Sequence, residues 1–136
     1  MANDMKMISI LGATGSIGIS SLNVISSLGD GYKVFGLSCH KNTTLLQDQI
    51  HQFKPEYAII TDQSSYNLFL KEYGTNIGET KVVFGDEVRD IITANKNVDT
   101  TIAAITGFSC IYPVISAINH NKTILIANKE ILVSAG

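Results

Sequence analysis

A short apolar run followed at once by three evenly spaced glycines limits most strongly what this chain can fold into. The run Met7–Leu11 leads into Gly12, Gly15 and Gly18, and a helical pattern continues to about Leu28. Gly12 allows a tight turn out of a strand, and Gly15 lets the backbone approach a pyrophosphate. Gly18 lets the helix lie close against the strand. Strand, glycine turn and helix in this order favour a dinucleotide-binding unit over an ordinary tight turn.

The glycine spacing also bears on the type of nucleotide. The pattern G-x-x-G-x-x-G departs from the commonest dinucleotide pattern, G-x-G-x-x-G. No Gly-Lys-Ser/Thr sequence follows the turn, which argues against a mononucleotide P-loop. The helix start offers N–H groups and the positive end of its dipole to phosphates, and Thr14 and Ser16 add hydroxyl donors.

Short β-rich runs alternate with helical periods along the chain. Six runs are predicted as strands: Met7–Leu11, Lys33–Ser38, Tyr57–Thr61, Lys81–Phe84, Thr100–Ile105 and Lys122–Ala127. Helical spacing follows the first five of them, at about Ser16–Leu28, Leu46–Phe53, Tyr66–Tyr73, Val88–Ile92 and Ile111–Ile118. This alternation predicts an α/β fold, a doubly wound, Rossmann-like parallel sheet of about six strands with helices on both faces. Ligands of such sheets bind beyond the carboxyl ends of the strands.

Composition supports a single globular domain and excludes several classes of partner. The chain has 136 residues, of which 45% are hydrophobic, and a formal net charge of −2. A domain of this length buries an adequate core, and the absence of a basic cluster argues against nucleic acid or an anionic membrane surface. No apolar run reaches the roughly 18 residues that a membrane-spanning helix needs. Cys39 and Cys110 lack CxxC spacing, which fits a reducing, cytoplasmic compartment.

The end of the second predicted strand carries basic rather than acidic residues. When the cofactor is NAD, an Asp or Glu usually accepts hydrogen bonds from the ribose hydroxyls at this point. This chain instead has His40, Lys41 and Asn42, with no carboxylate. The basic character suits a 2′-phosphate and predicts NADP rather than NAD. A solvated loop with Asn42 as the N-cap of the next helix is the alternative, and the two roles of Asn42 are compatible.

Three polar residues follow the last predicted strand, where the ligand crevice is expected. Lys129 could pair with an anionic substrate group, and Asn128 and Glu130 could orient cofactor or substrate. On residue types alone, helix capping by Asn128 with Glu130 in the first turn is the preferred explanation. Elsewhere no cluster of His or carboxylates predicts a metal site, and no Ser-His-Asp or Tyr-x-x-x-Lys set is present.

Together these motifs resemble the N-terminal domain of the 1-deoxy-D-xylulose 5-phosphate reductoisomerase family. The resemblance runs over nearly the whole chain and rests on Ile8–Gly18, Lys41–Asn42, Ala103–Gly107 with Pro113, and Thr123–Glu130. It implies an oxidoreductase and isomerase of non-mevalonate isoprenoid biosynthesis. Such enzymes rearrange 1-deoxy-D-xylulose 5-phosphate to an aldehyde held by Mg²⁺ or Mn²⁺. NADPH then reduces the aldehyde to 2-C-methyl-D-erythritol 4-phosphate.

The resemblance also implies residue roles. It assigns the cofactor pyrophosphate to four residues of the glycine turn: Thr14, Gly15, Ser16 and Ile17. It assigns the adenosine ribose and its 2′-phosphate to three residues of the next loop: His40, Lys41 and Asn42. It places Asn128 and Glu130 near the nicotinamide half of the cofactor, and Lys129 at the substrate.

This chain departs from the family pattern in residues and in length. Cys39 and His40 stand where many members have Ala-Gly, Cys110 where Gly is common, and Ile131 where Ser is usual. In the family, the metal ligands, phosphate contacts and lid follow the Asn-Lys-Glu segment, whereas this sequence ends at Gly136. We therefore expect residues 1–136 to be the dinucleotide-binding domain of a larger enzyme whose catalytic and C-terminal domains are absent.

Such a domain would bind NADPH, hold no metal and be inactive alone. The full-length enzyme is expected to be a cytoplasmic homodimer acting on a phosphosugar. Two other functions fit the glycine motif. One is the cofactor domain of another NADP-dependent oxidoreductase of the semialdehyde-dehydrogenase type, which needs a catalytic Cys or a Tyr-Lys pair downstream. The other is a stand-alone dinucleotide-binding redox sensor.

Overall fold

A computed structural model of the chain describes residues 6–29, 31–85, 88, 95, 97–104 and 123–126. Among these residues the strands are β1 (Lys6–Leu11), β2 (Tyr32–Cys39), β3 (Tyr57–Ile60), β4 (Asn76–Ile77), β5 (Thr80–Phe84), β6 (Thr100–Ala103) and β7 (Thr123–Ile126). The helices are α1 (Ser16–Leu28), α2 (Thr43–Phe53) and α3 (Gln63–Tyr73). None of these helices combines the length and the apolar character that crossing a membrane requires.

The strands form one sheet in the order β4-β5-β3-β2-β1-β6-β7. Every neighbouring pair is parallel except β4 and β5. Starting from β1, the chain builds the sheet outward through β2, β3 and β5, and then adds β6 and β7 on the opposite side of β1. The strand order therefore reverses between β1 and β6, which is the switch point of a doubly wound sheet. The prediction of a Rossmann-like parallel sheet is confirmed.

One strand was not predicted from the sequence. The two residues of β4 turn back through Gly78, which has a φ of 57°, and pair antiparallel with the start of β5. A two-residue strand is too short to produce a periodic pattern, so only the turn could have indicated it.

The central strands β1, β2, β3 and β6 are buried on both faces, which explains why they appear as continuous apolar runs. On one face, side chains of β1, β2 and β3 pack against all three described helices; this core includes Ile10, Leu37, Ile60, Leu46 and Phe69. On the other face, Phe35, Ile59 and Val98 form a second buried cluster. The helices predicted at Val88–Ile92 and Ile111–Ile118 lie outside the described residues, apart from Val88, which packs against the second cluster.

Helix ends follow the capping residues that the sequence supplies. Asn42 precedes α2, and its side chain accepts a hydrogen bond from the Leu45 N–H at 3.2 Å. The helix ends where Lys54 adopts a left-handed φ of 49° just before Pro55. Gly74, with a φ of 80°, ends α3. Both predicted helix ends, at Pro55 and at Gly74, are confirmed, as is the N-cap role of Asn42.

Cys39, at the end of β2, gives a prediction about alkaline stability. Burial raises the pKa of its thiol from the ordinary 9.0 to about 12, because the thiolate would lose hydration. The neutral thiol of Cys39 therefore contributes to the free energy of unfolding below pH 9.0, and this contribution is lost as the pH rises toward 12. Urea unfolding should therefore show the free energy of unfolding falling between about pH 9 and about pH 11. The free energy of unfolding of the Cys39→Ala variant should fall less than that of the wild type over this range. Equal losses would show that the Cys39 thiol does not cause the alkaline loss of stability.

Candidate cofactor-binding site

The glycine turn leaves β1 at the switch point and has the geometry that the sequence predicts. Gly12 has a φ of 79°, a left-handed conformation that side chains disfavour. A Cβ atom added to Gly18 would lie 2.2 Å from the Gly12 carbonyl oxygen and 2.7 Å from the Ala13 Cα. The close approach of α1 to the end of β1 therefore requires glycine at position 18.

Gly15 is different, because the surrounding protein does not require a glycine there. Its φ of −79° and ψ of 171° are accessible to any residue. Among the described residues, a Cβ atom added to it would meet only the Gly12 carbonyl oxygen, at an ordinary 3.6 Å. Gly15 is exposed, so an added side chain would extend over the outer surface of the turn.

The first turn of α1 is open to an anion. Gly15 is the N-cap and provides no side-chain acceptor, and the first turn contains no acidic residue. Ser16 and Ile17 are exposed. Their N–H groups make no hydrogen bond within the part of the chain that the structure describes. Unpaired N–H groups at a helix start, together with the helix dipole, attract phosphate.

Buried polar groups from β2 and α2 hold the glycine turn in place. Ser38 Oγ accepts a hydrogen bond from the Gly12 N–H at 3.0 Å, and the Ser38 carbonyl accepts one from the Ala13 N–H at 2.8 Å. Gln49 Nε2 donates to the Ala13 carbonyl at 2.8 Å, and Gln49 is only 5% exposed. The sequence contained one signal for this contact, since Gln49 is polar yet lies in the apolar stripe of α2 beside Leu46 and Ile50.

The second predicted segment, the adenosine loop (His40, Lys41 and Asn42), is exposed at the carboxyl end of β2. Because β2 pairs with β1, this loop and the glycine turn lie at the same edge of the sheet. The His40 Nδ1 lies 3.0 Å from the Thr61 Oγ1, and its Nε2 lies 3.8 Å from the Asp62 Oδ1.

The Asp62 carboxylate beside this loop was missed by sequence reasoning. It comes from the end of β3, which pairs with β2 so that Cys39 is opposite Ile60. Its Oδ2 accepts hydrogen bonds from the Ser65 hydroxyl and the Ser65 N–H, and these two bonds are the main reason that the pKa of Asp62 lies below its ordinary value. The charges of Lys41 and His40 lower it further. An ionised carboxylate therefore stands beside a loop whose own sequence contains none.

The remaining predicted residues are not covered by the described part of the chain. Asn128, Lys129 and Glu130 lie outside it, although β7, the strand that precedes them, is present and pairs parallel with β6. The loop after β6 lies outside it as well. Within the described ranges, no three His, Cys, Asp or Glu side chains group together as a metal site would require.

Sequence comparison connects this site with a known family. The family model described as 1-deoxy-D-xylulose 5-phosphate reductoisomerase matches residues 8–136. The protein of that name from Buchnera aphidicola subsp. Schizaphis graminum is 38% identical over 132 residues. The alignment covers 97% of this chain and 33% of the relative, so the chain spans about a third of the length of the curated relatives it matches.

Solved structures agree with the sequence match. A Zymomonas mobilis 1-deoxy-D-xylulose 5-phosphate reductoisomerase in complex with NADPH superimposes with a TM-score of 0.85 at 35% identity, over 96% of this chain and 34% of that one. A reductoisomerase in complex with NADPH, fosmidomycin and magnesium superimposes with a TM-score of 0.84 at 31% identity, over 95% of this chain and 31% of that one. The chain belongs to the 1-deoxy-D-xylulose 5-phosphate reductoisomerase family.

Proposed function

We propose that this chain is the NADPH-binding domain of a 1-deoxy-D-xylulose 5-phosphate reductoisomerase. The observation that carries the proposal is the difference between the glycines of the turn. The fold itself requires Gly12 and Gly18, whereas Gly15 is exposed and no described residue leaves too little room for a side chain there. A glycine on the outer side of a turn that precedes a helix is what close approach of a pyrophosphate requires.

The described residues fit the cofactor in two places. Thr14, Gly15, Ser16 and Ile17 would hold the pyrophosphate, since Ser16 and Ile17 present N–H groups at the exposed start of α1. The adenosine loop would surround the adenosine ribose and its 2′-phosphate, with Lys41 as an exposed cation. Bound NADPH would supply the hydride for reduction of an aldehyde.

The activity of the whole enzyme is part of the same proposal. It would convert 1-deoxy-D-xylulose 5-phosphate to 2-C-methyl-D-erythritol 4-phosphate as a homodimer in the cytoplasm, with residues 1–136 as its dinucleotide-binding domain. Lys129 would contact the substrate, and Asn128 and Glu130 the nicotinamide half of the cofactor. The family resemblance puts the ligands of Mg²⁺ or Mn²⁺ after the Asn-Lys-Glu segment, so we assign the metal to the rest of the full-length enzyme. The domain alone should therefore not turn over substrate.

Lys41→Ala is the variant that tests the cofactor assignment. We expect NADPH, titrated by its fluorescence, to bind about tenfold more weakly, because an ion-paired hydrogen bond to the 2′-phosphate is lost. NADH lacks that phosphate, so its dissociation constant should change by less than about twofold.

Lys33→Ala is the matched control, since Lys33 is an exposed lysine at the end of β2 opposite the adenosine loop. It should leave both dissociation constants unchanged. Tighter binding of NADH than of NADPH by the unmodified chain would refute the NADPH assignment, as would equal effects of the two lysine substitutions.

A further inference from the structure

We propose that His40 determines the preference for a 2′-phosphorylated cofactor by covering the carboxylate of Asp62, and that Thr61 positions His40 for this role. The inference rests on the proposed function, because it takes the adenosine loop to face the ribose of the cofactor. It adds two residues from the β3–α3 junction that no sequence pattern connected with the cofactor.

Asp62 poses a problem for an NADPH site. NAD-binding sites use a carboxylate at the end of the second strand to accept from the ribose hydroxyls, and the Asp62 carboxylate, which lies beside that point, would repel a 2′-phosphate. The Oδ2 atom of Asp62 is occupied by capping α3, with the Ser65 N–H at 3.0 Å and the Ser65 hydroxyl at 2.8 Å. The Oδ1 atom lies 3.8 Å from the Nε2 atom of the His40 imidazole.

Thr61 fixes which nitrogen of His40 faces this carboxylate. The Thr61 hydroxyl donates its hydrogen to the Cys39 carbonyl at 3.3 Å, so its oxygen is left as an acceptor. The His40 Nδ1 lies 3.0 Å from the same oxygen, and this contact holds the imidazole ring in place. The Nε2 atom therefore points toward Asp62, and in the imidazolium form it carries the N–H that can contact an anion.

The side chain of His40 remains accessible to a ligand, with 64% of it exposed against 22% for Asp62. The imidazole thus lies beside the carboxylate and is still accessible to a ligand that binds at the adenosine loop. With His40 in place, the imidazole lies between Asp62 and the ligand, and the positive charge of Lys41 is left to act on the 2′-phosphate. Without His40, Lys41 and Asp62 cancel, and the carboxylate is exposed to the cofactor.

The decisive measurement is the ratio of the NADH dissociation constant to the NADPH dissociation constant. His40→Ala should lower this ratio about tenfold, because it uncovers the carboxylate of Asp62 to the 2′-phosphate. The double variant His40→Ala/Asp62→Asn should recover most of that loss, since the amide removes the charge while its oxygen can still cap α3. Asp62→Asn alone should change the ratio by less than about threefold, because His40 already covers the carboxylate.

Thr61 is tested by two substitutions of similar size. Thr61→Val removes the hydroxyl and should lower the ratio roughly threefold, whereas Thr61→Ser keeps the hydroxyl and should preserve it. In a His40→Ala background, Thr61→Val should have no further effect on the ratio, because Thr61 acts only through His40. A loss of stability alone would weaken both cofactors equally and leave the ratio unchanged.

The outcomes separate this inference from the proposed function. If Lys41→Ala lowers the ratio and His40→Ala does not, the role of His40 is wrong while the NADPH site stands. If neither substitution changes the ratio, the adenosine loop does not face the 2′-phosphate and the proposed function fails. Failure of Asp62→Asn to restore the ratio in the His40→Ala background would overturn the covering role. An equal effect of Thr61→Val with and without His40 would overturn the role of Thr61.

Discussion

Replacing Gly18 with alanine is expected to lower the free energy of unfolding by about 3 kcal/mol. The added Cβ would lie 2.2 Å from the Gly12 oxygen and 2.8 Å from the Ala13 carbonyl carbon, and both are backbone atoms. No side-chain rotation can relieve these contacts. Either α1 must move away from the sheet or the turn must open, and each movement disturbs the core that Leu22 and Ile25 of α1 share with the sheet.

Urea unfolding followed by circular dichroism measures this effect. Gly31→Ala is the matched control, because an added Cβ at that exposed glycine meets no atom within 4 Å. It should unfold at the wild-type urea concentration. If Gly18→Ala were as stable as the wild type, the start of α1 could not lie as close to the backbone of Gly12 and Ala13 as these distances require.

Replacing Gly15 with alanine should have the opposite profile, with NADPH binding weakened about tenfold and stability changed by less than about 1 kcal/mol. The backbone conformation at Gly15 suits alanine, and within the described ranges of the chain the new methyl group would meet only the Gly12 oxygen, at 3.6 Å. Helix-capping preference accounts for the small loss of stability. The methyl group would occupy the exposed surface where we place the pyrophosphate, so the cofactor could no longer approach the turn.

Fluorescence titration with NADPH and with NADH gives the readout for Gly15→Ala. Both cofactors contain the pyrophosphate, so both should weaken by the same factor and the ratio between them should stay constant. Gly31→Ala again serves as the control and should bind both normally. Unchanged affinity in Gly15→Ala would remove the main support for the pyrophosphate site. A stability loss as large as that of Gly18→Ala would mean that the fold, and not a ligand, requires this glycine.

Local sequence information was sufficient to predict most of the framework. The six long strands follow from apolar runs, because a sheet covered on both faces needs no polar alternation. The ends of α2 and α3 follow from Pro55 and Gly74, which act on the backbone within one or two residues. The roles of Gly12 and Gly18 were predictable for the same reason, since the atoms that a side chain at Gly18 would meet first belong to Gly12 and Ala13, in the same short segment.

Contacts between separate segments could not be predicted in this way. Asp62 reaches the adenosine loop only because β2 and β3 pair with Cys39 opposite Ile60, and no local pattern fixes that register. From the sequence, Asp62 was simply a residue after another strand. The contact of Gln49 with the glycine turn likewise depends on how α2 lies across the sheet. A polar residue in an apolar stripe indicates that its side chain has a hydrogen-bond partner in the core, but it does not indicate which group that partner is.

The hydrogen bond from Gln49 to Ala13 has a consequence for how a ligand would be received. Asn42 caps the helix that carries Gln49, so α2 links the adenosine loop at its start to the glycine turn at its middle. The distance between the glycine turn and the adenosine loop is thereby set in the free protein, before any cofactor arrives. A cofactor then has little ordering of the protein to induce, and preorganisation of this kind favours affinity. The pyrophosphate and the 2′-phosphate of the cofactor should therefore contribute independently to the free energy of binding, because neither segment has to move when the other is occupied.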